Sequence, residues 1–404
     1  MPPTPTEAAQ IIHAHLHTGS TEDCPLAAAH GRVLRKPIYA DRPLPPFDRV
    51  TMDGYAVNSA AIRESSGGLR VTGFQAAGMI ARTLPNGPNA IEIATGATLP
   101  FGADAIIPYE ETNPVGEEVL LNDASTVTAG QNIHPKGSDH AAGAQLVAAG
   151  ATLTGREIAA AASSGYARVV VGSRPSVAVI ATGDELVEID CRSISPQQIR
   201  KSNDYAIRAA LLQTDLVSRV ERIHLRDLKS EIESGLRQAL SAFDMLVLTG
   251  GVSKGKLDHL PQAFADLDVT RHFHGVAQRP GKPMWFGTTS RQQPVFSLPG
   301  NPVSSYTCLH RYVMPALRKI VGQTPAATET VALAEPFHFP KPLAFFLPVR
   351  IRQTEDGRSL AHPAPFNTSG DLAGLVETDG FIELPADQSD FSAGYCAPLH
   401  RWTR

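Results

Sequence analysis

From about residue 174 the chain alternates short apolar runs with amphipathic stretches. The runs at 177–180, 245–248 and 295–298 read as buried parallel strands. Between them the pattern predicts a helix near 203–212. A second helix has Ile232, Leu236 and Leu240 on one stripe, with Asp227 as its candidate cap. After residue 298, Tyr306, Leu309, Val313, Leu317 and Ile320 recur every three or four positions, and Gly322 supplies a stop. Strands joined by crossover helices predict a doubly wound parallel α/β sheet, whose ligands bind beyond the carboxyl ends of the strands.

The flanking segments have other textures. Residues 5–35 read as helical, with Ile11, Ile12 and Leu16 and then the apolar stretch 26–29, until the prolines of 43–46 break the pattern. Short apolar runs near 69–73, 90–94, 105–108 and 119–121 predict a small β domain. Thr154-Gly155-Arg156-Glu157 has the spacing of a capping box leading into another helix. The last eighty residues return to short strands and turns, a second β module.

Composition narrows the function classes. The 404 residues are 42% hydrophobic and 19% charged, proportions of a globular protein with no bias to disorder. A net charge of −4 lacks the basic face of a nucleic-acid binder. Cys24, Cys191, Cys308 and Cys396 stand far apart, suggest neither zinc nor a disulfide framework, and fit a reducing cytoplasm. No apolar stretch approaches membrane-spanning length, and the amino terminus has no signal-peptide pattern. The expected location is the cytoplasm.

Candidate chemistry gathers at three strand ends. After 245–248 come Gly250, Gly251, Ser253, Gly255, Lys256 and Asp258, a glycine turn able to point backbone amides at an oxyanion. Gly250 to Lys256 has the spacing of a phosphate-binding P-loop. Leu257 follows, where a P-loop needs a hydroxyl for its magnesium ion, so an ordinary P-loop enzyme is disfavoured. Thr182-Gly183-Asp184-Glu185 offers carboxylates at a strand tip, or simply a solvated turn. Pro299-Gly300-Asn301-Pro302 opens amides toward an anion, or is a rigid connection. Arg279 and Lys282 stand three residues apart on a loop stiffened by Pro280 and Pro283, suited to gripping an oxyanion or to a plain surface turn. Asp53-Gly54 is by default a hairpin turn, and Asp139 sits in another turn. His13 and His17 have zinc-compatible spacing but no third ligand, and read as a solvated helix face.

Taken together these segments resemble the molybdopterin molybdenumtransferase family, the MoeA-type enzymes and the gephyrin E domain. The match runs through Leu44-Pro-Pro-Phe-Asp48, Met52-Asp-Gly-Tyr-Ala-Val57, Thr95 to Asp104, Gly137-Ser-Asp139, the three strand ends and Arg279 to Pro283. The resemblance implies four domains: a helical one split between 1–38 and 136–173, a β domain over 39–135, a pterin-binding α/β domain over 174–325, and a β-barrel-like domain over 326–404. It implies an elongated homodimer whose active site is shared between subunits, with no nucleic-acid or membrane partner. The implied reaction takes adenylylated molybdopterin and molybdate, uses a divalent cation (Mg2+), and inserts molybdenum as AMP leaves. By position, Asp53, Asp139, Glu185, Asp227 and Asp258 correspond to the acidic residues of the family's cleft, with Asp53 coming from the partner chain. Glu185 and Asp258 are the implied metal ligands. The strand-end residues Thr182, Gly183, Asp184, Gly250, Gly251, Ser253, Gly255, Lys256 and 299–302 would hold the pterin nucleotide. Arg279, Lys282 and Ser369 would hold molybdate.

The departures are specific. Lys256 replaces an acid, weakening any metal site built on two carboxylates of that loop. Arg279 replaces a lysine, His134 and Ser138 replace an arginine and an acid near Asp139, and Glu92 stands where arginine is common. Arg350 is the nearest counterpart of the family's last-domain arginine. Two competing readings are the preceding adenylyl transfer, which a single α/β domain performs, and a scaffold, for which the chain lacks gephyrin's additional domain.

Overall fold

The computed structural model describes residues 1–63, 68–252, 259–364 and 368–402. The chain divides into two compact units. Met1–Lys36, Ala149–Gly155 and Arg168–Arg404 make the first; Pro37–Ala148 and Arg156–Ala167 make the second.

The first unit is built on a six-stranded sheet of β1 (Ser176–Thr182), β2 (Arg219–Leu225), β3 (Met245–Thr249), β4 (Thr270–His274), β5 (Trp285–Thr288) and β6 (Pro294–Leu298). Their order across the sheet is β2-β1-β3-β6-β5-β4. β2, β1, β3 and β6 are parallel; the apolar runs predict β1, β3 and β6, whereas β2, reading Arg-Val-Glu-Arg-Ile-His-Leu, has no such run. β5 is antiparallel to both β6 and β4. This edge is not visible in the apolar pattern, because β4 reads Thr-Arg-His-Phe-His and no crossover helix separates β5 from β6.

Side chains alternate between two buried faces, as a doubly covered sheet requires. Val177, Val179, Met245 and Val247 enter one core with Ile207 and Leu211. Ala178, Ile180, Leu246 and Leu248 enter the other with Ile232 and Leu236. Those partners lie on α1 (Asn203–Leu212) and α2 (Lys229–Ala242). Helix α3 (Leu260–Asp266) follows β3, and α4 (Pro302–Cys308) follows β6. The α4 helix continues through a π turn at Leu309–Val313 into α5 (Met314–Val321), and Gly322 ends it in the left-handed conformation at φ 82°. The chain passes from β1 to one side and later returns to its other side, so the topological switch point lies between β1 and β3.

The amino-terminal reading needs correction. The helix spans only Pro5–Ala14, capped by Thr4 and Glu7. Thr21–Pro25 is a strand, paired antiparallel with Arg168–Gly172. Only Cys24 of its five residues is buried, so backbone pairing rather than an apolar face holds it, and Pro25 cannot continue a helix. The helix Gly155–Ser163 begins directly after Thr154, as expected.

At the carboxyl end Thr330–Leu333, Ala344–Gln353, Ser359–Pro363, Gly380–Leu384 and Cys396–Arg401 close into a five-stranded barrel. A two-residue strand, Gln278–Arg279, adds to it in parallel, with Gln278 opposite Ala344 and Arg279 opposite Phe345. The second unit carries its own mixed six-stranded sheet, in the order Ala105–Pro108, Gly54–Val57, Asn89–Ile93, Gly68–Gln75, Glu118–Leu121, Thr112–Val115. Gly54 therefore starts a central strand instead of turning a hairpin. No helix among the described residues is long and apolar enough to cross a membrane.

Phe296 on β6 is fully buried, with its ring 4.9 Å from that of Phe286. Phe296→Ala should lower unfolding stability by about 3–5 kcal/mol in urea titration, the cost of a large unfilled core cavity.

Candidate functional site

The register of the parallel strands brings their carboxyl ends level. Ala181, Thr249 and Leu298 stand side by side, so Thr182, Gly250 and Pro299 form the next row. The Gly250 N–H donates to Leu298 O at 3.2 Å. Gly250 and Gly251 have φ of 93° and 65°. A Cβ on Gly250 would fall 2.7 Å from Thr182 O, and one on Gly251 would fall 2.6 Å from Leu260 Cδ1. Both positions exclude any larger residue, by conformation and by space.

A cavity of about 690 Å³ opens over this row. Thr182, Gly183, Glu185, Asp227, Gly250, Gly251 and residues 299–302 all line it, together with Lys201, Asn203 and Asp204 from the start of α1. Asn203 is its tie rod. Its Nδ2 donates to Thr249 Oγ1 at 2.8 Å and to Gly300 O at 2.7 Å, joining α1 to the ends of β3 and β6. Lys201 is buried and pairs with Glu188 at 2.5 Å.

Carboxylates crowd one wall. The Asp227 N–H donates to Asp184 Oδ1 at 3.2 Å. Asp227 is not a helix cap, because Leu228 holds that position before α2. Burial, with the nearby charges of Asp184 and Glu185, raises its pKa above the ordinary 3.8. His224 Nε2 lies 3.0 Å from Gly183 O; a carbonyl only accepts, so that nitrogen carries the proton. Among the described residues no group of three His, Cys, Asp or Glu is arranged to hold a metal ion. Ser253, Gly255, Lys256 and Asp258 lie outside the described residues.

A second cavity, about 920 Å³, adjoins the first and shares Pro283 and Asn301 with it. Arg279, Lys282 and Ser369 line it, along with Phe337, Phe339 and Phe345 from the barrel side. Asn301 Nδ2 donates to Ser369 Oγ at 3.0 Å, and the Val303 N–H donates to Ser369 O at 3.0 Å. The loop bearing Ser369 is thus pinned to the start of α4. Arg279 and Lys282 are exposed and form no salt bridge among the described residues. Gly281 between them has φ 95°, and a Cβ there would sit 2.5 Å from Cys308 Sγ.

Asp53 and Asp139 belong to the second unit. Asp53 is exposed and accepts from the Thr95 N–H at 2.6 Å, which holds its carboxyl below the usual range. Asp139 lies 2.8 Å from His134 Nε2, so His134 is its partner. Glu92 accepts from the Tyr109 hydroxyl at 2.8 Å. Arg350 pairs with Glu377 and lines neither cavity. The sequence reading missed Lys201, Asn203 and Asp204. They precede or begin an amphipathic helix, where polar residues read as ordinary helix starts.

Three family models match the chain. The MoeA N-terminal region (domain I and II) covers residues 4–165, a "Probable molybdopterin binding domain" covers 178–319, and the MoeA C-terminal region (domain IV) covers 330–402. A molybdopterin molybdenumtransferase of Synechocystis sp. is 37% identical, over 98% of each chain. One from Staphylococcus epidermidis is 31% identical over 90% of this chain and 87% of its own. The solved molybdopterin biosynthesis moeA protein of Pyrococcus horikoshii OT3 superimposes with a TM-score of 0.84 at 26% identity, covering 99% of this chain and all of that one.

The crowding at Asp227 has a pH signature. Its raised pKa means the folded chain holds the proton more tightly than the unfolded chain. The resulting destabilisation is absent below pH 3.8, sets in as pH rises through the raised value, and persists above it. Asp227→Asn in chelator-treated protein should therefore melt higher than the parent at pH 7. The difference should vanish in acid, as read by thermal denaturation across pH.

Proposed function

The chain belongs to the molybdopterin molybdenumtransferase family, transferases of molybdenum cofactor biosynthesis, and on that premise we propose that it inserts molybdenum from molybdate into adenylylated molybdopterin with release of AMP. The observation that carries this reading is the junction of two unlike cavities at Pro283 and Asn301. One is walled by glycine turns and carboxylates; the other has Arg279 and Lys282 at its edge. A substrate with a phosphate-bearing pterin and an adenylate suits the first. A tetrahedral dianion suits the second, whose lining includes two cations and a hydroxyl.

In this reading Gly251 presents its amide to a phosphate oxygen, while Gly250, whose own N–H is taken by Leu298 O, lets the backbone turn; Thr182, Gly183 and residues 299–302 form the rest of the cradle. Arg279 and Lys282 hold molybdate beside the dithiolene, with Ser369 donating from the barrel side. The hard oxygen donors Glu185 and Asp227, beside Asp184, fit magnesium, which ordinarily takes one or two carboxylates and completes its shell with substrate phosphates and water. A magnesium ion held by Glu185, with Asp258, would neutralise phosphate charge as the adenylate is cleaved. We further propose a cytoplasmic homodimer in which Asp53 of a second copy completes the site.

Incubation with adenylylated molybdopterin, magnesium and molybdate should release AMP and yield cofactor that reconstitutes a molybdenum-free apoenzyme. AMP release that is equally fast without molybdate, with no cofactor formed, would overturn the assignment. Lys282→Ala removes one charge-assisted hydrogen bond, worth about 1.5–3 kcal/mol. The molybdate concentration for half-maximal insertion should rise about ten- to a hundredfold, with nucleotide binding unchanged. Weakened nucleotide binding at an unchanged molybdate requirement would move Lys282 to the pterin site.

A further inference from the structure

Buried polar atoms without partners are few in folded proteins, and each needs an explanation. Three belong to residues that line the cavity at the strand ends: Thr182 Oγ1, Asn203 Oδ1 and Asp204 Oδ1. None has a hydrogen-bond partner among the described residues. Thr182 and Asp204 are only 4% and 3% exposed.

The two oxygens from α1 are held in place. Asp204 Oδ2 accepts from Arg222 Nη1 at 3.0 Å, and the Arg222 guanidinium lies 3.5 Å over the ring of Tyr205. That leaves Oδ1 as the uncommitted half of a fixed carboxylate. The amide of Asn203 cannot be turned over, since one of its nitrogen's partners is the Gly300 carbonyl, which only accepts. Its Oδ1 is thereby fixed as an acceptor too. Lys201, the nearest cation in sequence, is committed to Glu188. Consecutive residues of the cavity wall thus carry two unpartnered acceptor oxygens. An acceptor held in a dry wall is costly until a donor reaches it.

We propose that Asp204 and Asn203 form an acceptor–acceptor subsite for a heterocycle edge that carries two adjacent N–H donors. The 2-amino-4-oxo ring of a pterin has such an edge, in its 2-amino group and N3–H. Adenine does not, because its 6-amino group stands beside the N1 acceptor. The inference rests on the proposed substrate and goes further, assigning its pterin end to the wall formed by α1. It also explains a carboxylate in a cavity that takes a phosphorylated ligand. Asp204 is neutralised on one side by Arg222 and reads N–H groups on the other, while the amide of Gly251 remains for the phosphate. Sites that hydrogen-bond a ligand group discriminate strongly against an analogue lacking it, because their own polar atoms are then stranded.

The test uses the full chain and three probes: 6-hydroxymethylpterin phosphate, its 2-oxo (lumazine) counterpart, and AMP. The wild type should prefer the pterin over the lumazine at least about tenfold. Asp204→Asn, which can offer an amide donor to the 2-oxo group, should lose most of that preference. Its pterin affinity should fall about ten- to a hundredfold and its AMP affinity should stay unchanged. A role for Asp204 confined to its ion pair with Arg222 would alter the melting temperature without changing the pterin-to-lumazine ratio. Wild-type protein that binds AMP but does not distinguish the two ring systems overturns the inference alone, whatever the variant does. Wild-type protein that binds none of the three overturns the reading of the cavity, and the inference with it.

Discussion

The close approach of two strand ends governs this molecule. Thr182 at the end of β1 sits so near Gly250 at the end of β3 that a Cβ on the glycine would lie 2.7 Å from the threonine carbonyl. The approach exists because β1, β3 and β6 are parallel and in register, with both faces buried. Parallel strands covered on both sides cannot slip by one residue without moving every side chain to the opposite face. The level row of strand ends is therefore fixed by the core far below it. The cavity inherits its shape from that register, and Asn203 locks it by tying α1 to two of the three ends.

Chemistry divides around this row according to what each element can supply. Glycine turns supply amides without side chains, the β1 end and the segment before α2 supply carboxylates, and the loop at 279–282 supplies cations. The cations Arg279 and Lys282 line one cavity and the carboxylates Glu185 and Asp227 the other, with Pro283 and Asn301 shared between the two. Hydrogen bonds from Asn301 and Val303 to Ser369 bring the barrel's contribution to the same place.

The central strands were legible because continuous apolar runs leave few alternatives, and the motifs at their ends were legible because glycine and proline mark special backbone. What stayed hidden depends on partners distant in sequence. Thr21–Pro25 was absorbed into a helical reading since only its backbone pairing with Arg168–Gly172 makes it a strand. The β4–β5 edge was missed since its residues alternate and its connection is a short turn. Asp227 looked like a helix cap, yet its backbone N–H is taken by Asp184 and the cap position is Leu228. Asn203 and Asp204 could not be singled out, because their role lies in atoms left over after folding, and no local pattern encodes what remains unpaired.

The short strand Gln278–Arg279 sets an unusual rule for chain length. Surface loops ordinarily absorb insertions and deletions with little penalty. Here one end of the loop is registered against Ala344 and Phe345 of the barrel, and a few residues later Trp285 is registered against Ser297 of the central sheet. Gln278 is wholly buried and its side chain donates to Gly281 O at 3.2 Å, bridging the interval internally. One residue more or fewer between 279 and 284 would have to be absorbed by a register on one side or the other. The number of positions along this stretch is therefore set by two registers, one at each end.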